Sequence, residues 1–187
     1  MVAASEANLA LVQELARSGA NVNAADSDGY TALHYAAHCG DLRVVQALLA
    51  AGANVNAHTN DDVTPLIFSV DMAWGKPEIT SALIDADADV NVAESDGDTA
   101  LWIATTESTV DVMQKLIEKG ANTNVQDKDG ETPLHLAALN GLSDRVSLLL
   151  DHGARVDIRD AHGRTARDVV NQHHREIIEM LEKHSGR

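Results

Sequence analysis

Apolar positions in this chain come in short stripes separated by polar, glycine-containing runs. Leu42, Val45, Leu48 and Leu49 form one stripe, and Met113, Leu116 and Ile117 form another. Steps of three and four residues place such side chains on one face of an α-helix. Ahead of the first stripe lies a shorter segment, ALHYAAHC (32–39), opened by Thr31 and closed by Gly40. Threonine is a good helix N-cap there, because its hydroxyl accepts a free backbone N–H. Pro65 and Pro133 directly follow Thr64 and Thr132, at the first helical position, where a missing N–H costs nothing. Gly52 and Gly120 suit a left-handed cap after the second helix. The run NVNAADSDGY (21–30) is rich in Asn, Asp and Gly and predicts an extended loop or hairpin.

The pattern then repeats. Thr31, Thr64, Thr99, Thr132 and Thr165 are 33, 35, 33 and 33 residues apart. A second landmark keeps the same phase: GANVN at 19–23 and 52–56, DADVN at 87–91, GANTN at 120–124 and GARVD at 153–157. A period near 33 marks a repeat array. A single helix–turn–helix unit cannot bury its own stripe, whereas stacked units bury each other's and make a solenoid.

GYTALHYAAHCGDLRVVQALLAAGANVNA (29–57) and GETPLHLAALNGLSDRVSLLLDHGARVDI (130–158) resemble ankyrin repeats. The resemblance implies one all-α ankyrin-repeat solenoid over residues 1–187, of five to six helix–turn–helix units joined by β-hairpin-like loops. A partial unit spans 1–25, full units span 26–58, 59–93, 94–126 and 127–159, and a capping unit spans 160–187. Met1 falls where the first helix of the partial unit should already have begun, which reads as a truncation. The last unit keeps Ile177, Ile178 and Leu181, one residue out of register, and ends in polar EKHSGR. The third unit carries two extra residues within SVDMAWGKPEI (69–79), with Asp62 in place of the tip glycine and Asp87 in place of the helix-ending glycine. If both positions keep a positive φ, each costs roughly 1 kcal/mol over glycine. The fourth unit has Ser108 at its mid-turn glycine position and Trp102 in place of the family's histidine, so stability is expected to be lower in these middle units.

Composition narrows the function. Hydrophobic residues make up 44% of the 187, enough for a packed core, and aromatics only 3%. The lone cysteine, Cys39, allows neither an intrachain disulfide nor a Cys-based zinc site. No leader-like N-terminus is evident, and no apolar run approaches the roughly 20 residues that span a bilayer. The expectation is a soluble, cytoplasmic or nuclear protein, monomeric by itself, with no membrane partner. The net charge of −15 is concentrated in residues 1–100, where 15 acids meet three bases for a net of −12. Such a surface repels nucleic acid, whose binding relies on Lys and Arg. It favours a basic partner, although acidity also serves solubility alone.

The resemblance implies a non-catalytic scaffold for a partner protein, held along a concave face of hairpin tips and first helices. With the charge, it points to a basic partner. Carried over by position, the tips offer Tyr30, Asp61, Asp62, Val63, Asp96, Asp98, Lys128 and Glu131. The ends of the first helices offer His38, Glu107 and Asn140. Trp74, in the inserted turn with Met72, is a candidate anchor, since Trp is enriched among residues that dominate interfaces. The alternative is a ring folded over the helix ends. Trp102 is expected to pack between repeats, and Tyr30 to be the better exposed aromatic. Asp at a tip also simply makes turns, so the tip acids alone do not decide.

Two other classes stand beside this one. A spacer or self-associating domain would use an apolar edge at the first unit. An enzyme would need a convergent site. His34 and His38 are four apart, a spacing that can hold zinc, but no Glu lies between them to complete the metalloprotease pattern. The resemblance instead gives His34 and His135 a structural role, bonded to neighbouring tip backbone. The DADAD run (85–89) lacks a calcium-loop motif, and no basic residue of its own repeat obviously activates Cys39. No catalytic residue, metal or cofactor is therefore expected. The resemblance also marks Asn56, Asn91 and Asn124 as positions where ankyrin hairpins can be hydroxylated.

Overall fold

The computed structural model describes residues 1–70 and 76–185. The chain divides into two compact units, Met1–Ser95 and Asp96–Arg187. The first unit contains α1 (Val2–Ser5), α2 (Leu9–Arg17), α3 (Ala32–Cys39), α4 (Leu42–Ala50), α5 (Pro65–Val70) and α6 (Pro77–Asp85). The short helices α1, α3 and α5 pack on one another in order, and α2, α4 and α6 form a second layer. Leu33, Val44, Val45, Leu66, Ile79 and Leu83 fill the space between the layers and are fully buried. Ala36 and Ala37 are buried as well, and their small side chains let α3 lie close to its neighbours.

The second unit repeats the scheme with α7 (Ala100–Glu107), α8 (Val110–Glu118), α9 (Pro133–Leu139), α10 (Ser143–Asp151), α11 (Ala166–Val169) and α12 (Arg175–His184). Helices α7, α9 and α11 make one layer and α8, α10 and α12 the other. Leu101, Met113, Leu116, Leu134, Leu149, Ile177 and Leu181 are its core. The last pair holds its stripe through Ile177 and Leu181, so α12 still seals the stack.

The caps follow the sequence. Thr99 accepts from the Trp102 N–H and Thr132 from the His135 N–H, each satisfying a donor that the helix cannot. Gly40 closes α3 at φ 74°. Asp62 and Asp87 both sit at φ 60°, so the third unit keeps the left-handed backbone without the glycines. Ser108 differs. Its φ and ψ are −126° and −172°, ordinary extended backbone, so this turn does not use the left-handed conformation that Gly40 adopts after α3. α7 ends at Glu107, as α3 ends at Cys39, and the chain leaves straight into the Thr109 cap of α8.

The hairpin loops stack by main-chain bonds. The Asn60 N–H donates to the Asp28 carbonyl at 2.9 Å and the Ser95 N–H to that of Asp61 at 3.1 Å. In the second unit Lys128 N–H donates to Asp96 and Ala161 N–H to Asp129, at 3.0 and 2.8 Å. The partners are 32 residues apart except Asp61 and Ser95, which are 34 apart. The two extra residues of the third unit therefore fall between α5 and α6 and leave the loop register intact. Among the described residues the only β feature is an isolated bridge between Ala25 and Thr31.

Candidate interaction surface

Four hairpin tips are each built around one side-chain acceptor. Asp26 Oδ1 accepts from the N–H groups of Asp28 and Tyr30, at 3.1 and 2.9 Å. Asp127 does the same for Asp129 and Glu131, and Asp160 for His162 and Arg164. In the third unit the Thr59 hydroxyl takes this place, accepting from Asp61 and Val63. These residues make the turn. The acid two positions further on does not. Asp28, Asp61, Asp96 and Asp129 occupy that second position, one in each of four successive repeats, and all four are exposed. Their carbonyls are tied into the loop stack while their carboxylates face outward. Asp96 accepts from Lys128 Nζ at 2.6 Å. In the last tip the same position is His162.

Two of the turn-making acids, Asp26 and Asp160, have lowered pKa values. The Tyr35 hydroxyl donates to Asp26 Oδ2 at 2.7 Å, and this bond, with those from the Tyr30 and Asp28 N–H groups, lowers the Asp26 pKa against the opposing effect of burial. Burial opposes ionisation of Asp160 too, but Arg164 outweighs it through its N–H and its guanidinium and keeps that pKa low.

The remaining candidates fall in several places. Asp62 is exposed, 3.5 Å from the His58 ring. Val63 is half-buried, and its carbonyl accepts from His34 Nε2 at 3.1 Å. Asp98 is half-buried, and Glu107 and Lys128 are exposed. Glu131 is half-buried, with its carboxylate 3.5 Å from Arg164. Asn140 is exposed and donates its amide to the Leu136 carbonyl at 2.9 Å. Trp74, like Met72, lies outside the described residues. Tyr30 is not a free ring at a tip. It is half-buried, its centroid 5.8 Å from His34 and Tyr35 and 5.6 Å from Phe68. His38 is half-buried, 5.7 Å from Phe68.

Phe68 was not among the sequence candidates, although it completes this cluster. The signal was positional. Tyr35 and Phe68 each stand four residues after their repeat's threonine, where the next two units have Ile103 and Leu136. Aromatic residues in two successive units at one first-helix position would have pointed to it.

His34 and His135 are structural. His34 Nδ1 accepts from the Thr31 N–H at 3.1 Å, so its proton lies on Nε2 and is donated to Val63. His135 repeats this arrangement with Thr132 and the Arg164 carbonyl. Trp102 substitutes for them, its Nε1–H donating to the Glu131 carbonyl at 3.3 Å. All three bonds span 29 residues. Among the described residues no group of three or more His, Cys, Asp or Glu side chains is placed to hold a metal ion. No helix there is long and apolar enough to cross a membrane.

Helix pairs with stacked tips, recurring about every 33 residues and tied together at the same position in each unit, define a helical repeat protein. A family profile for ankyrin repeats (three copies) matches residues 1–94, 57–127, 72–160 and 101–186, and the chain belongs to the ankyrin-repeat family. No curated protein matches it at a significant level. Ankyrin repeats are in general protein–protein interaction modules and typically serve as scaffolds without catalysis.

Proposed function

We propose that this chain is a non-catalytic interaction module that takes a basic partner protein on the face formed by hairpin tips and first helices. The observation that carries the reading is the recurrence of an exposed acid at the second tip position, Asp28, Asp61, Asp96 and Asp129. The turns are already made by Asp26, Thr59 and Asp127. Folding therefore does not require the carboxylates of Asp28, Asp61 and Asp129 for these turns, and repeated negative charge on exposed tips accelerates encounter with a positive surface. The chain acts as a monomer, in the cytoplasm or nucleus, a setting that suits a single free thiol.

Selection of a random peptide display library on the immobilised chain tests this. Enrichment of Lys- and Arg-rich sequences, lost when all four acids are changed to Asn, supports the reading. Enrichment of neutral or acidic sequences, or undiminished capture by the Asn variant, overturns it. The self-association alternative has its own observation in Val2, Leu11 and Leu15, which expose 71%, 38% and 43% of their surface. A mass by light scattering that rises with concentration would favour it.

A further inference from the structure

The chain has five aromatic side chains of the Phe, Tyr and Trp types. Three of them, Tyr30, Tyr35 and Phe68, converge with His34 and His38 on one pocket of the Met1–Ser95 unit. The fold does not demand this. Where Tyr30 and Tyr35 stand, the fifth repeat places Glu131 and Leu136. The rings are tilted, Tyr30 at 40° to Tyr35 and 50° to Phe68, and His38 is edge-on to Phe68 at 82°. They enclose about 200 Å³ with walls almost wholly of carbon. That is below the roughly 300–1,000 Å³ of small-molecule sites and suits a single inserted side chain.

Charge decides which kind. Residues 1–95 carry 13 acids against Arg17, Arg43 and Lys76, a net of −10. Asp26 and Asp28 lie four and two residues before Tyr30, and the Tyr35 phenol donates to Asp26. A phenol that donates to a carboxylate has a more electron-rich ring, which strengthens its attraction for a cation. An ammonium would bring three N–H donors to carbon walls. A guanidinium is flat, weakly hydrated and stacks on aromatic faces while its edge stays in water.

We propose that the Tyr30, Tyr35 and Phe68 pocket receives an arginine side chain of the partner, stacked on a ring face. This rests on the reading of the chain as a binder of basic proteins and names the group that would anchor it.

The test uses three peptides identical but for one central residue: arginine, lysine or citrulline, the neutral isostere of arginine. Each is titrated into the full chain at about pH 7.5, above the usual imidazole range, with aromatic carbon–proton NMR as readout. The arginine peptide is expected to shift the Tyr30, Tyr35 and Phe68 ring signals. It should bind about 3–30-fold more tightly than the citrulline peptide, the range of a cation–π contact, with lysine weaker than arginine. Phe68→Leu and Tyr30→Leu keep apolar bulk but lose the ring, so they should fold, by their melting curves, and reduce arginine binding to the citrulline level. Equal binding of arginine and citrulline, equal binding of arginine and lysine, or unmoved ring signals would overturn the proposal. If the arginine peptide binds without moving the rings and the four-Asn variant abolishes it, the pocket fails and the broader reading stands. If none of the peptides binds, both fail.

Discussion

The Arg145 guanidinium donates to the Ser108 carbonyl at 2.8 Å and also bonds the Thr105 carbonyl. Both acceptors belong to the end of α7, where a helix leaves carbonyls without partners. Arg145 comes from α10, at a position where the equivalent residues are Val44, Ile79, Val112 and Ile177. Those four are buried aliphatic side chains. One unit has thus given up an apolar core position to cap the helix of its neighbour, at the one mid-turn where Ser replaces the glycine.

Arg145→Ala is therefore expected to destabilise the chain by about 2–3 kcal/mol, the range for losing hydrogen bonds from a charged donor. Arg145→Lys should recover only part, because a single ammonium cannot span both carbonyls as the planar fork does. Urea unfolding followed by circular dichroism measures both. An Arg145→Ala variant as stable as the parent would show that the cap contributes nothing net.

How much of this was legible beforehand differs by residue. The left-handed backbone at Asp62 and Asp87 could be read from register alone, since both stand where other units have glycine. Ser108 could not. Its register suggested a less stable turn, but the backbone took an extended path and the contact that caps it came from a residue 37 positions away. Period and local propensity report what a unit needs by itself, and a side chain arriving from the neighbouring unit is invisible to both. Tyr30 shows the same limit. Its polar loop suggested exposure, and the ring instead found Tyr35 and Phe68.

Asp62→Gly and Asp87→Gly should each stabilise the protein, by about 1 kcal/mol, because glycine adopts positive φ without the Cβ penalty. The converse change separates backbone strain from crowding. A Cβ on Gly120 would meet open space, whereas one on Gly29 would lie 2.8 Å from the Thr59 Cα. Gly120→Ala should thus cost roughly 1 kcal/mol, and Gly29→Ala clearly more, since the loop stack must also shift. Equal melting temperatures for these two variants would contradict this.

Trp102 holds the place of His34 and His135 by making their bond with a different ring. Trp102→Phe keeps the bulk but leaves the Glu131 carbonyl without that donor, and should cost about 1 kcal/mol. Trp102→His should restore the bond. Neither change should alter affinity for basic peptides, because this side chain joins two repeats. A loss of peptide binding larger than the loss of stability would place Trp102 in the interface after all.

Acid should weaken the fold in two separate windows. His34 is held neutral, with its pKa lowered chiefly by burial, and protonation at Nδ1 would set a second hydrogen against the Thr31 N–H. The unfolded chain takes up that proton near 6.5, whereas the folded chain does so only at lower pH. By linkage, the contribution is complete above about 6.5 and is lost as pH falls from there through the lowered folded value. Asp26 behaves differently, since its folded pKa lies below the ordinary 3.8. Its contribution persists above that value and disappears only as pH falls below it. Urea midpoints taken from about pH 7.5 down to about pH 3 should then show an early decline and a later one. His34→Gln should flatten the first and leave the second, and Tyr35→Phe, which removes the phenol donor from Asp26, should soften only the second. An early decline of the same size in the His34→Gln variant would show that some other group sets it.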